Sequence, residues 1–429
     1  MFLQKISRLL RSNKMVRDVP KTIEGQEIVL LTEEELNQQP NPLTWHTLNC
    51  ELITPMYGGG VESTVVDRHM PIRTSSIRGN LRFWWRLLAK YKWKLDDIAT
   101  KEKDIWGGMG NSDDEGKAGK VLLKVINLSK KRVGDNDLIA YDDGSLSGLR
   151  YVLFPAYNET DDSKKPHKLL KSDNVKLDLQ VAFAPQIAND DTIKNQIIET
   201  LQWWANFGGL GFRSRKGLGA ICVNVCQDFP QICHALTNDD VQQADCRLVV
   251  RNSNSSTGTQ ALAAGIQKLS DFRQKAGVGR NEPSDEAKKM KKPAGRSRFP
   301  EPDALRRIQR NLGYDKKHEP VHQAGNMFPR ASFGLPILFH SHQEKAVKAT
   351  VNPAIGERLA SPLIIRPRKV GSHYQVMALV LPYKDILKMK VEINGMEYPI
   401  WEQDKAKHIH PIQENGNDPL DAFLNYFIK

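Results

Sequence analysis

The chain has 429 residues, with 62 Lys/Arg against 50 Asp/Glu and a formal net charge of +12. That length accommodates two or three domains, each with its own core, and the basic balance favours a polyanionic partner, most commonly nucleic acid. No run of eighteen apolar residues occurs, so no membrane span is expected. The five cysteines (Cys50, Cys222, Cys226, Cys233, Cys246) form no C-x-x-C pair and match no histidine spacing, which points to reduced thiols of a cytoplasmic protein without a metal site.

In chain order, residues 1–46 read as an extension and linker. MFLQKISRLLRSNKMVR is basic and amphipathic but lacks the apolar core and cleavage site of a secretory signal, and Met15 is a candidate alternative start. Leu48, Cys50 and Leu52 alternate with polar residues, which predicts a strand over 47–54. A glycine run (Gly58 to Gly60) and an irregular loop follow. Ser75 or Ser76 is then placed to cap a helix over 77–91. Arg78, Arg82, Arg86 and Lys90 recur every four residues and predict a basic stripe, with Leu81, Trp85 and Leu88 on a face that can be buried. Gly79 in the first turn is expected to let another backbone approach. With Arg73 and Ser76 beside it, this helix start has the makings of a phosphate site, the alternative being an ordinary solvated arginine face.

Further strands are predicted over 121–126, 151–155 and 175–183, with an exposed insertion over 129–147 and an Asp-capped helix over 192–207. That helix runs into GGLGFRSRKGLG. There Gly211 and Gly217 allow backbone N–H groups to approach a phosphate chain, and Arg213, Arg215 and Lys216 add charge. The loop satisfies neither the P-loop pattern nor a dinucleotide fingerprint, so no nucleotide cofactor is expected; the alternative is a flexible turn. Strand, helix, two strands, helix, strand is the order of a ferredoxin-like domain over 47–240.

A polar stretch over 236–243 marks the expected boundary with a second mixed unit, 241–429. Within it, residues 267–310 hold thirteen Lys/Arg against six Asp/Glu, a net +7. Residues 281–296 have a disordered-loop composition, flanked by Gly277, Gly279 and Arg280 on one side and Arg296, Arg298 and Phe299 on the other. Glycine, arginine and an aromatic suit a loop that holds a nucleic-acid backbone and stacks on a base. Strands over 333–339, 363–366 and 374–381 and a helix begun by Asp418 and Pro419 complete the reading.

TPMYGGG, RTSSIRGNLRFWWRLL, GGLGFRSRKGLG, FRQKAGVGRN, GRSRFPEPDALRR, RASFGLPILF and RLASPLIIRP together resemble the RAMP superfamily of CRISPR-associated proteins. More narrowly they resemble the subunit-one family of the type III-B Cmr effector complex. The resemblance implies an α+β chain of two ferredoxin-like (RRM-like) domains and no cofactor; the long basic insertions of this chain are not fixed by that pattern. It implies a structural role, binding the 3′ region of a guide RNA and the target RNA paired there, among other RAMP subunits. The RNA-facing residues implied are Arg78, Arg82 and Arg86, then Arg213, Arg215 and Lys216, then Arg280, Arg296 and Arg298. A competing reading is a ribonuclease using Asp67 and His69, since the backbone RAMP subunit of such complexes carries a cleaving aspartate in a similar loop. No helix-turn-helix or zinc-finger spacing supports a DNA-binding regulator. The histidine pairs His340/His342 and His408/His410 lack a third ligand.

Overall fold

The computed structural model describes residues 43–60, 64–110, 116–154, 167–290, 295–309, 319–339 and 349–429, plus the backbone of a small strand pair, Thr22–Ile23 with Gln26–Glu27. Residues 45–429 form one unit and residues 1–44 another. Met15, the histidine pair at 340 and 342 and residues 291–294 of the lysine-rich loop lie outside the described residues.

The chain combines helices with antiparallel sheets. Its first half contains β1 (Trp45–Leu52), α1 (Thr74–Tyr91), α2 (Ile98–Trp106), β2 (Val121–Ile126), β3 (Lys176–Phe183), α3 (Asp191–Phe207) and β4 (Ile221–Cys226). The strands pair antiparallel in the order β2-β3-β1-β4. Leu48, Cys50 and Leu52 are buried as the alternation requires, with a register shift between Asn49 and Cys50. Helices α1 and α3 meet through indole rings: Trp84 lies 5.8 Å from Trp203 and 5.9 Å from Phe207, all three buried. A buried aromatic of this size is worth about 3–5 kcal/mol against alanine, so the tryptophan-rich stretch sets where α1 sits.

The second half adds β5 (Arg247–Ser255), α4 (Gly258–Gln274), α5 (Glu301–Ile308), β6 (Ile337–Phe339), β7 (Ala349–Pro353), β8 (Leu363–Val370), β9 (His373–Val380), β10 (Lys390–Ile393), β11 (Met396–Pro399) and α6 (Pro419–Ile428). Three strands form a sheet in the order β8-β9-β5, and β6-β7-β10-β11 form another. The β8-β9-β5 sheet is covered on both faces. Ile364, Met377 and Leu379 join the core that contains α1 and α3, whereas Ile365, Val376 and Ala378 pack with α4 and α6. The polar stretch expected at the boundary contains a short helix, Asn238–Gln242, whose Val241 is buried in the first of these cores.

Several local expectations need correction. Helix α1 starts at Thr74, three residues early; Arg73 flanks it without a side-chain cap, and Ser75 and Ser76 lie inside the first turn. The stretch expected as a strand over 151–155 is helical over Arg150–Leu153, because Leu149, Val152 and Leu153 all pack against α4. Residues 129–147 are no loose insertion: Val133 and Leu146 are buried, and Leu138–Ala140 pairs with Lys168–Leu170. Residues Pro329–Phe333 form a 3₁₀ turn, leaving strand only at β6. No described helix is long and apolar enough to cross a membrane.

Arg366, in β8, joins the two halves. Its buried guanidinium donates to the carbonyls of Gly208 (2.7 Å), Ile221 (2.5 Å) and Pro367 (3.2 Å), and burial draws its pKa down to about 10. Three carbonyls compensate the burial of one charge, so truncation leaves acceptors without donors. Arg366→Ala is expected to lower the unfolding free energy by about 2–4 kcal/mol, measured by urea denaturation.

Candidate nucleic-acid interface

The basic stripe of α1 is turned towards α2 and tied there. Arg78 Nη1 donates to the carbonyls of Val121 (2.9 Å) and Trp106 (3.4 Å), and burial, then Arg82, lowers its pKa. Arg82 Nε and Arg86 Nη1 share Oε1 of the buried Glu102, at 2.5 and 2.7 Å. Two guanidinium groups on one carboxylate leave one positive charge in excess, so the expected row of free arginines is in large part a clamp between helices. Arg73 donates to the Gly60 carbonyl at 2.8 Å.

Gly79 differs from its expected role too. No atom lies within 4 Å of where its Cβ would stand, so no backbone approaches it. It lies instead on the rim of a cleft of about 190 Å³, with Asn80 and Phe83 from α1 facing Gly208, Gly209, Ser214 and Arg215 of the glycine loop. This cleft brings the helix start and the loop together.

The loop's glycines serve packing more than ligand approach. Gly211 has φ +75°, and a Cβ there would stand 2.5 Å from the Tyr57 carbonyl, which accepts the Phe212 N–H at 2.6 Å. Gly217 has φ +81°, and a Cβ there would meet Leu262 of α4 at 2.3 Å. Thr54 Oγ1 donates to the Gly217 carbonyl at 2.6 Å and accepts the Ala220 N–H at 2.8 Å, pinning the loop to the end of β1.

The loop's cations behave differently from those of α1. Arg213 lies over Phe154, 4.9 Å from the ring centre, and Arg215 lies over Phe83 at 5.0 Å while donating to the Ser361 carbonyl at 2.5 Å. Lys216 Nζ donates to Ser361 Oγ at 3.1 Å. A fourth cation, Arg273 at the end of α4, went unnoticed in the sequence because an arginine in the last turn of a helix is ordinary there. It donates to the Tyr151 hydroxyl at 3.2 Å and lies over Phe333 at 4.7 Å, and its Nε is buried without a partner. Burial, then Arg273, Arg213 and Arg215, pushes the Lys216 ammonium down to about 7. Among the described residues no carboxylate pairs with any of these four.

Beside this cluster lies the third predicted stretch. Gly279 packs against the backbone of Arg273, where a Cβ would meet the carbonyl carbon at 2.2 Å. Arg280 Nε donates to the Gly295 carbonyl (2.9 Å), Arg298 Nη1 to the Gly277 carbonyl (2.7 Å), and Arg296 pairs with Asp303 (3.0 Å). Arg280 and Arg298 brace residues 277–281 against 295–299, and Arg296 ties the latter to α5. Phe299 is buried against Phe272, ring centres 5.8 Å apart, so it is a core residue and offers no base platform.

Asp67 Oδ1 accepts the backbone N–H groups of His69 (2.8 Å) and Met70 (3.0 Å), and the Met70 bond, then the His69 bond, holds its carboxyl below the usual range. It closes its own turn, and the structure records no bond between the Asp67 carboxyl and the exposed His69 ring. Among the described residues no three His, Cys, Asp or Glu side chains group as metal ligands; His410 lies 3.5 Å from Glu414 on the surface.

Lys216 gives a measurable consequence. An ammonium at about 7 in the fold and 10.5 when unfolded binds fewer protons folded than unfolded between those values. Its cost is therefore fully present below pH 7 and fades as pH rises towards 10.5. Lys216→Met is expected to be more stable than the parent at pH 6, with the gap closing by pH 10, read from urea midpoints at each pH.

The family model of the RAMP superfamily matches residues 49–222, from β1 through the glycine loop into β4. The CRISPR system Cmr subunit Cmr1-2 of Pyrococcus furiosus is 21% identical over 189 residues, covering 42% of this chain and 94% of that protein. Among solved structures, apo Cmr1 from Pyrococcus furiosus aligns with 80% of this chain and 88% of its own, at 14% identity and a TM-score of 0.43. A chain of the type III-B Cmr-beta complex bound to cognate target RNA aligns with 90% of this chain and 100% of its own, at 11% identity and a TM-score of 0.42. Residues 49–222 match the RAMP superfamily, in a chain that resembles subunit one of the Cmr complex.

Proposed function

We propose that this chain is an RNA-binding structural subunit of a type III-B CRISPR effector, acting in the cytoplasm in antiviral defence. It holds the 3′ region of the guide RNA and the target RNA paired there, beside other RAMP subunits. The observation that carries this reading is the group Arg213, Arg215, Lys216 and Arg273, four cations whose partners among the described residues are neutral groups and aromatic faces. Concentrated positive charge without internal carboxylates costs folding energy, and phosphates offset that cost irrespective of base sequence. Base identity is then left to pairing between guide and target.

The similarity to a Cmr subunit gives the reading its context. In the same reading the chain comprises two ferredoxin-like modules, 47–240 and 241–429, after an extension over 1–46. The order β2-β3-β1-β4 with α1 and α3 supports the first, and β8-β9-β5 with α4 and α6 supports a three-stranded version of the second. The Arg78, Arg82 and Arg86 row serves chiefly to hold α1, and the contact shifts to the loop and the end of α4. A nuclease built on Asp67 has no comparable support, since both N–H bonds to its carboxylate are local.

The test is guide-length RNA binding across a salt titration. Arg213→Gln and Arg273→Gln should each weaken binding about tenfold at low salt and flatten the log–log salt slope by about 0.7 for each lost phosphate contact, equally for unrelated sequences. Unchanged affinity and slope in both variants would remove the cluster from the RNA path.

A further inference from the structure

The charge arithmetic of the cluster goes further than phosphate contact in general. Lys216 bonds a hydroxyl, Arg215 a carbonyl and Arg273 a phenol, and the buried Nε of Arg273 has no partner. The rings of Phe154, Phe83 and Phe333 lie against the guanidinium groups of Arg213, Arg215 and Arg273 without neutralising them. Arg215 and Lys216 share Ser361, and Arg213 from the glycine loop and Arg273 from α4 stand near enough for their charges to act on Lys216. Burial, then the charges of Arg273, Arg213 and Arg215, pushes its ammonium down to about 7, and no described carboxylate pairs with it.

An internal phosphodiester brings a single negative charge and two free oxygens. A terminal phosphomonoester carries about −1.5 to −2 at neutral pH on three acceptor oxygens. Against three guanidinium groups and an ammonium from two segments, the second ligand neutralises more of the charge and offers one more acceptor than the first. We propose that Arg213, Arg215, Lys216 and Arg273 form a seat for the terminal phosphomonoester of an RNA strand, so that a strand ends at this cluster. This inference rests on the RNA-binding reading above and narrows its ligand.

The test uses the full-length protein and one short single-stranded RNA in three forms: hydroxyl at both ends, 5′-phosphate, and 3′-phosphate. Anisotropy titrations should show at least one phosphorylated form binding about tenfold tighter than the hydroxyl form. The arm that gains affinity identifies which end is seated. Inorganic phosphate should compete for that advantage, and Lys216→Gln should abolish it, bringing the three forms to one common affinity. On the unaltered protein, the ³¹P resonance of the terminal phosphate should shift on binding.

Three forms that bind equally, an advantage that survives Lys216→Gln, or an unshifted terminal resonance would each overturn the seat. The RNA reading would stand in those cases as long as the hydroxyl form binds. Failure of all three forms to bind would overturn both.

Discussion

The seating of one loop against both halves of the chain is the constraint on which the rest depends. Gly217 lies where a side chain's first carbon would stand 2.3 Å from Leu262 and 2.6 Å from the Ile365 carbonyl, with Thr54 fixing its own carbonyl. Arg366 reaches back from the same strand as Ile365 to the carbonyls of Gly208 and Ile221, which bracket the loop. Only a residue without a side chain admits that approach, and only a long donor with several N–H groups satisfies the carbonyls it buries. With the loop held at both ends, Arg213, Arg215 and Lys216 are carried to the end of α4, where Arg273 waits.

Charge is used in two ways on this molecule. On α1, and around residues 280 to 298, arginines are committed to the fold: Glu102 takes two, Asp303 takes Arg296 and Arg306, and backbone carbonyls take Arg78, Arg280 and Arg298. A guanidinium group satisfied by internal acceptors has little left to offer a phosphate. Around Lys216 the cations instead meet rings, hydroxyls and a carbonyl, none of which is a counter-charge. The net charge of the whole chain says nothing of this division, because a clamp and a binding site count alike in a sum.

Much of the scaffold was legible in the residues. Alternation at Leu48, Cys50 and Leu52 and the helical spacing of Leu81, Trp85 and Leu88 are local consequences of strand and helix periods, and all six side chains are buried as those periods require. Asp190 and Asp418 cap α3 and α6 through their own neighbours' N–H groups, another local signal. Legibility failed where a distant partner decided the matter. Residues 150–153 are helical because α4 receives their apolar side chains, and Phe299 is core because Phe272 stands opposite.

For the site, the order of residues already establishes which stretches carry glycine beside arginine, and that the chain holds more positive charge than it can pair. Tertiary structure alone decided which arginines remain without carboxylate partners. That outcome depends on whether an acid from elsewhere arrives within bonding distance, as Glu102 does for Arg82 and Arg86 and as no described acid does for Lys216 and its neighbours. Ion pairing falls off steeply with separation in space and takes no account of separation along the chain. For that reason Arg273, 57 positions from Lys216 in the numbering, belongs to the cluster, whereas Arg78 does not.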